Sequence, residues 1–405
     1  MNDPGRRRFI RSALGVATGG LLAPPLLAPL LAQTRGRDAT PVPSASSKWR
    51  KHGIVLSATE PWEHGGVQSF TSSAEPLGSG AWRIWYTAVG KNAGGIAYAE
   101  GVPGQVMNKF PAQYSSGEPG DAPFAVGNLP DGWRPKQVVH LALRNGRHRI
   151  YFWAHGPEIL RYLAADSEDG RRYRVIDPLR PVLYHPNDRA AQGVHSPDGV
   201  MLRKKRNMDG PQGEPLATAR KISNDATTVY QLPDGTFEMY SVTLVPVSKD
   251  DPAYMPEDNA PGLLRMIDRY TSTDGLHFET RRRVIERDEK DPADQQFYYL
   301  SVTRTPRGCV GMLGHYRCAA QTMDLEWCFS PDGVTWQRPV RSPWLPRGQP
   351  PELDSYGIYG NNQLVQHDGR WHLFYTGVNH AHNGKDSHGP AQQVILHATT
   401  TSLWA

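Results

Sequence analysis

The chain has 405 residues, 38% of them hydrophobic and 21% charged, with 40 glycines and 35 prolines. That is enough apolar residue for a large core, and it excludes a disordered polymer. The formal charge of +5 does not point to nucleic acid. Much of the excess lies before Thr34, where Arg6, Arg7, Arg8 and Arg11 stand against Asp3 alone, and the later run Arg203 to Arg206 sits by itself in a polar stretch.

In chain order, the first element is a basic cluster followed by an apolar run that ends on small residues near Ala32. This is the plan of a secretory signal, and "RRRFIR" resembles the twin-arginine export motif. Pro24, Pro25 and Pro29 interrupt the run, which argues against a spanning helix and hence against a stable membrane anchor after cleavage. The expectation is a signal over 1–32, a linker over 33–47 and a single folded domain over 48–405. The twin-arginine machinery is then a partner, and the product is periplasmic or secreted.

Beyond the linker one string recurs. "GAWRIWYTA" from Gly80, "GRHRIYFWA" from Gly146, "GTFEMYSVT" from Gly235 and "GRWHLFYTG" from Gly369 each open on a turn glycine and continue as an aromatic-rich alternating strand. "GCVGMLGHY" from Gly308 is a weaker fifth. An apolar run precedes each glycine, as a hairpin partner would. A third strand follows, and in three places a turn of the form S-x-D-G-x-x-aromatic: "SEDGRRY" from Ser167, "STDGLHF" from Ser272 and "SPDGVTW" from Ser330. Glycine supplies the positive φ there, Asp and Ser cap the turn amides, and the aromatic packs between neighbouring units. Five units of four antiparallel strands predict an all-β, five-bladed β-propeller. "HGIVLS" from His52 is expected to pair with "QVILHATT" from Gln393 and close the ring. Residues 101–131 and 184–221 are aperiodic and read as insertions, with a shorter excursion over 245–263. Cys309, Cys318 and Cys328 fit no metal spacing, and they read as buried small hydrophobes.

The export signal, the five repeats, the S-x-D-G turns and the "GxWx[IL][WF]Y" strands together resemble the five-bladed glycoside hydrolases of families 43, 32 and 68. The resemblance covers about Lys48 to Trp404. It implies a glycan substrate, no cofactor, and catalytic carboxylates on the innermost strands: a base or nucleophile in the first blade, a supporting Asp in the second and a Glu acid in the third. Transferred residue by residue the pattern departs. The first inner strand is preceded by Glu63, beside Trp62. The second carries Lys136 and His140 in place of an acid. The third offers Asp225 beside Asn224, the fourth opens on Asp294 and Gln295, and the fifth on Glu352 and Asp354.

Glycosidic cleavage needs one protonated and one ionised carboxyl, and a propeller axis brings strand starts from distant blades together. The expected catalytic set is therefore Glu63 as base or nucleophile, Asp225 as its tuner and Asp294 as acid. Glu352, Asp354, His140, Asn224, Gln295 and Asn361 are expected around the substrate, with Trp62, Tyr298 and Tyr359 able to stack on sugar faces. The tract "NHAHNGKDSHG" from Asn379 leaves a flexible loop and a metal tract both open, and no metal is assigned. A non-catalytic carbohydrate-binding propeller, a lyase or a phosphorylase also remains open. A phosphorylase would want basic residues in the pocket, for which Arg134 and Lys136 are the candidates.

Overall fold

A computed structural model describes residues 48–404 except 90–94, 157–159, 185–189, 192–200, 203–220 and 279; at 184, 201, 202, 221–225 and 280 it describes the backbone but not the side chains. The expected export signal over 1–32, the expected linker over 33–47, most of the aperiodic stretch 184–221 and the basic run at 203–206 therefore lie outside the described residues. Among those described, the chain is built from strands, with a single 3-10 turn at Pro61–Glu63 and no α-helix. No described helix is long and apolar enough to cross a membrane.

The strands form four hydrogen-bonded sheets, of nine, seven, five and five strands; a single parallel bridge between Met323 and Gly357 joins two groups in the largest, so that five successive, mostly antiparallel sets follow one another along the chain. The first holds Val67–Gln68, Ala74–Gly78, Ala81–Ala88, Gly95–Gly101 and Asn108–Pro111; the second is centred on Arg134–Ala142, His148–His155, Leu160–Ser167 and Arg172–Val175. The third contains Lys221–Gln231, Phe237–Pro246, Leu263–Ser272 and Thr280–Ile285, and the fourth contains Gln295–Thr305, Gly308–Arg317, Thr322–Ser330 and Pro343–Leu345. The fifth joins Gly357–Gly360, Val365–His367, Arg370–Val378 and Gln393–Thr400 to the N-terminal strand Arg50–Leu56, with Gly53 opposite His397. One ring is thus closed by strands from opposite ends of the chain.

Hydrogen bonds between successive inner strands run round that ring and return to their start. They are Ser73 N to Val138 O, Arg144 N to Gln231 Oε1, Val302 N to the Tyr230 hydroxyl, Leu364 N to Thr303 Oγ1, and Asn362 N to Ser72 O. Apolar faces that one set could not bury alone are covered by the next, as Tyr151, Trp153 and Tyr162 of the second are by Val229, Met239 and Tyr270 of the third.

The three S-x-D-G turns have one construction. Asp169, Asp274 and Asp332 each accept two following backbone amides on Oδ1, and Ser167, Ser272 and Ser330 each accept the glycine amide. Gly275 and Gly333 have φ of 72° and 78°, and a Cβ on either would lie 2.6–2.7 Å from the hydroxyl of Tyr151 or Tyr240 in the preceding set. Those two hydroxyls donate to the glycine carbonyls. Two of the three turns are therefore latches between neighbouring blades, whereas the Gly170 carbonyl accepts from Tyr173 of its own turn.

One expectation needs correction. The stretch 101–131 is not wholly an insertion: Asn108–Pro111 pairs with Gly95–Gly101 as the outer strand of the first set. Four residues ending in proline carry too little alternation to be seen in sequence. In addition, Gln113–Tyr114 and Ala125–Gly127 extend the second set through parallel pairing. The three cysteines are buried and free, in line with the sequence reading.

Candidate functional site at the axis

The inner strands begin at one cavity and end at another. The cavity at the strand starts has a volume of about 650 Å³, with Gln68 and Phe70 from the first set, Arg134, Lys136 and Gln137 from the second, Tyr298 from the fourth and Tyr359 from the fifth. Thr87, His155, His380, His382 and Gln393 complete its polar wall. The cavity at the strand ends, about 680 Å³, is lined by Glu75, His140, Tyr230, Gln231, Thr303, Arg304 and Gln363 among others.

The strand starts are not regular. Thr71, Gln137 and Ala226 occupy the left-handed region with φ of 54°, 58° and 58°, at equivalent places in three successive sets. The ladders shift register beside the last two. Such bulges break the two-residue alternation and re-aim side chains, so that Lys136 and Gln137, consecutive in sequence, both line the cavity. The freed amides are taken by neighbours: Thr71 N by Gly360 O at 3.0 Å, and Gln137 N by Thr87 Oγ1 at 2.7 Å. Asp225 directly precedes Ala226, as Phe70 precedes Thr71 and Lys136 precedes Gln137.

The wall around His382 is also built. Its Nδ1 lies 2.8 Å from the Tyr359 hydroxyl and its Nε2 lies 3.0 Å from Asn259 Nδ2. Tyr298 and Tyr316 meet the imidazole edge-on at ring separations of 4.9 Å. Asn259 comes from the excursion over 245–263, and the buried Arg265 anchors that excursion. Its guanidinium donates to Asp258 Oδ2 at 2.7 Å and to Asn259 Oδ1 and Gln296 Oε1 at 2.6 Å, and lies over the Tyr298 ring. On the opposite wall His155 pairs across the sheet with Arg134. Burial, aided by the Lys136 charge, lowers His155 to a pKa of about 3 and keeps it neutral.

The acids expected at the axis are not brought together. Glu63 is fully buried. Its Oε2 accepts from the amides of Thr59 and Glu60 and from Lys109 Nζ at 2.7 Å, and its Oε1 accepts from the Tyr86 hydroxyl at 2.9 Å. It closes the 3-10 turn and does not line the cavity. Trp62 packs on Tyr86 beside it. Asp294 is held by Arg317 at 2.6 Å and by the Ala319 amide, away from both cavities. Asp354 is buried under Lys51 and Tyr375, and Glu352 lines a separate small cavity near Trp49 and Trp344.

His140 stands on the wall of the opposite cavity, because four residues of extended chain separate it from Lys136. Gln295 and Asn361 are buried, and the side-chain amide of Asn361 has no hydrogen-bond partner among the described residues. The side chains of Asn224 and Asp225 lie outside the described residues. Tyr298 and Tyr359 do line the expected cavity.

Of the histidine tract, His380 and His382 reach the cavity, whereas His388 stacks on Tyr356 and meets Ser355. No group of three His, Cys, Asp or Glu side chains among the described residues is arranged to hold a metal ion. Gln68, Phe70, Thr87, His155 and Gln393 were not legible as site residues, since their sequence surroundings are those of ordinary strands.

No family model matches the chain, and no curated protein matches it in sequence. Among solved structures it is similar to BT0996 in an RGII complex, at 13% identity over 88% of this chain and 92% of that one, with a TM-score of 0.53. It is also similar to an N-acetylgalactosamine deacetylase from F. plautii in complex with blood group B trisaccharide (12% identity, 88% and 96% covered, TM-score 0.52). A thermostable family-43 glycoside hydrolase is a third such structure, at 10% identity over 82% of this chain and 88% of that one, with a TM-score of 0.51. At these identities the likeness is one of fold: the chain shares the β-propeller fold of the family-43 glycoside hydrolase.

Proposed function

We propose that this protein is an exported enzyme that cleaves glycosidic bonds in the cavity at the inner-strand starts. The observation that carries the reading is the convergence of inner-strand starts on one cavity of about 650 Å³, where aromatic side chains (Phe70, Tyr298, Tyr359) face amide, imidazole and cationic groups. That mixture suits a polyhydroxylated ring, which needs a stacking face and bidentate polar partners. The glycan-directed names of the structures of similar fold agree with it.

In this reading Asp225 supplies the carboxylate, because it holds the position before a left-handed residue that Phe70 and Lys136 hold in the two preceding blades. It accepts a proton from the attacking water. The bond from the anomeric carbon to the leaving oxygen breaks as that oxygen takes up a proton from a second water, while His382, whose Nε2 accepts from Asn259 and whose Nδ1 meets the Tyr359 hydroxyl, is a fixed part of the wall. Glu63 and Asp294 have structural roles.

A panel of plant and microbial oligosaccharides, incubated with and without inorganic phosphate and read for released reducing sugar or sugar phosphate, tests the reading. Hydrolysis lost in Asp225→Asn is the expected result. Phosphate-dependent turnover would instead mark a phosphorylase, and binding without turnover a carbohydrate-binding propeller. One observation favours that last reading: no carboxylate lines the cavity among the described residues.

A further inference from the structure

The cavity that holds Glu352 shares no lining residue with either axial cavity. It lies where the N-terminal strand meets the fourth set, and its volume is about 280 Å³. Trp49 and Lys51 form one side, Trp344 another, and Arg347, Gln349 and Glu352 come from the loop that leads into the fifth set. The two indoles meet at 82° with ring centroids 5.0 Å apart, and Trp49 remains partly exposed. An aromatic corner of this kind offers an apolar surface to the C–H face of a sugar ring.

The charges of the lining are unequal in their partners. Lys51 Nζ donates to Asp354 Oδ2 at 2.7 Å, and Arg347 donates to Asp324 Oδ1 at 2.7 Å and to Ser355 O at 2.8 Å. Each cation is thus matched by a buried acid beneath it. The exposed Glu352 carboxylate accepts no hydrogen bond among the described residues. It lies against Gly348, where a Cβ would collide with Glu352 Oε2 and Asp354 Oδ1, so the bare glycine backbone is what admits it to the wall. An anionic ligand is repelled by that carboxylate, and a cationic one by Lys51 and Arg347. A neutral diol suits it, because two vicinal hydroxyls can donate to one carboxylate in charge-assisted bonds while Gln349 serves the rim. Ligand cavities run from about 300 to 1,000 Å³, so this one takes a single ring.

We infer that the cavity is an auxiliary, non-catalytic subsite that holds one neutral sugar residue of a polymeric glycan, with Glu352 as acceptor and Trp49 as platform. It lies outside the proposed catalytic site and rests on the glycan reading for its ligand class alone. A polymer anchored there stays concentrated at the surface of the protein.

Native electrophoresis of the full chain through gels cast with arabinan, galactan or levan tests it. At least one polysaccharide is expected to retard the wild-type protein, and Asp225→Asn to be retarded equally. Glu352→Ala and Trp49→Ala are each expected to weaken apparent affinity at least fivefold, while cleavage of a short soluble oligosaccharide keeps its wild-type rate. Because Glu352 is exposed, its variant carries the test if Trp49→Ala fails to fold. Retardation undiminished in Glu352→Ala, or no retardation in any gel, overturns the inference. Cleavage without retardation removes the auxiliary subsite alone, and retardation through Glu352 with no glycan cleaved removes the catalytic reading alone.

Discussion

The two ends of the propeller axis are made by the same inner strands and enclose similar volumes, about 650 Å³ and 680 Å³, yet their chemistry differs. At the end where the strands finish, Glu75 is tied to its surroundings. Its Oε1 accepts from the Trp85 indole at 2.9 Å and lies 3.1 Å from His140 Nδ1, whose other nitrogen meets His148 at 3.1 Å. Arg304 at that end is held by Glu238. Charge is matched locally, and the left-handed non-glycine residues at this end, Ser79 and Asp368, stand in the hairpin turns beyond the strands. At the other end, three non-glycine residues adopt the left-handed conformation at the strand starts of successive blades, each at a cost of about 1–3 kcal/mol. Left-handed residues at the strand starts, beside a cavity of unlike polarity, support the proposal that this end is the working one. Size alone could not have chosen between them.

The largest effect should come from Asp225→Asn. If the strained end does the chemistry, turnover of a cleaved glycan falls by about 10²–10⁴-fold with the melting temperature unchanged. Activity retained in this variant would remove the carboxylate from the mechanism. Next in size is Glu63→Gln, which leaves Lys109 buried without its counter-charge and should cost about 3–5 kcal/mol in chemical denaturation. A variant as stable as wild type but inactive would return Glu63 to the catalytic set.

Much of the fold was legible because a repeat states itself several times: the turn glycines, the alternating aromatics and the S-x-D-G turns recur in the same order along the chain. The site was legible only as a direction. That strand starts converge follows from topology, and Tyr298 and Tyr359 do line the cavity at those starts. Which residue at a start faces the axis depends on bulges at Thr71, Gln137 and Ala226, and nothing in "FTSS", "KQVV" or "DATT" announces a left-handed residue. His140 was misplaced because a strand crosses the whole axis, so a few residues carry a side chain from one cavity to the other. Glu63 was misread because its partners, Lys109 and Tyr86, are remote in sequence.

The ring closure gives a pH test of intermediate size. His52 on the N-terminal strand stacks on His397, and His397 Nε2 meets His372 Nδ1 at 3.0 Å, with Arg50, Arg370, His367 and Asp368 as the charged and titratable neighbours. Burial lowers all three imidazoles, His397 to about 3. The folded state thus refuses protons that the unfolded chain accepts below about pH 6.5. Stability should therefore be full above that pH and fall as pH drops from about 6.5 toward 3, by up to about 1.4 kcal/mol per unit for the buried His397 and by less for the more exposed His52 and His372, where solvent screens the effect. Denaturation midpoints measured across that window check it, and His397→Phe should flatten the profile. A profile equally steep in that variant would locate the acid sensitivity elsewhere, and with it the weak point of the ring.

The smallest effect, and the sharpest on the comparison, belongs to Glu75 at the quiet end. Burial would raise its carboxyl, but the hydrogen bond and charge of His140, the Trp85 indole and Arg83 outweigh it and hold the group at about 2. A depressed carboxylate contributes stability that is present above about pH 4.5 and lost as pH falls from there toward 2. The side chain is 30% exposed, so solvent screens much of the gain, and Glu75→Gln should cost only about 1 kcal/mol at neutral pH. Glutamine keeps the acceptor for the Trp85 indole and the packing against His140, so the fold survives the change. If the working end is the one with the left-handed strand starts, glycan turnover in this variant should match wild type. A loss of turnover comparable to that of Asp225→Asn would reverse the assignment of the two ends, since the same five strands would then be doing their chemistry where they finish.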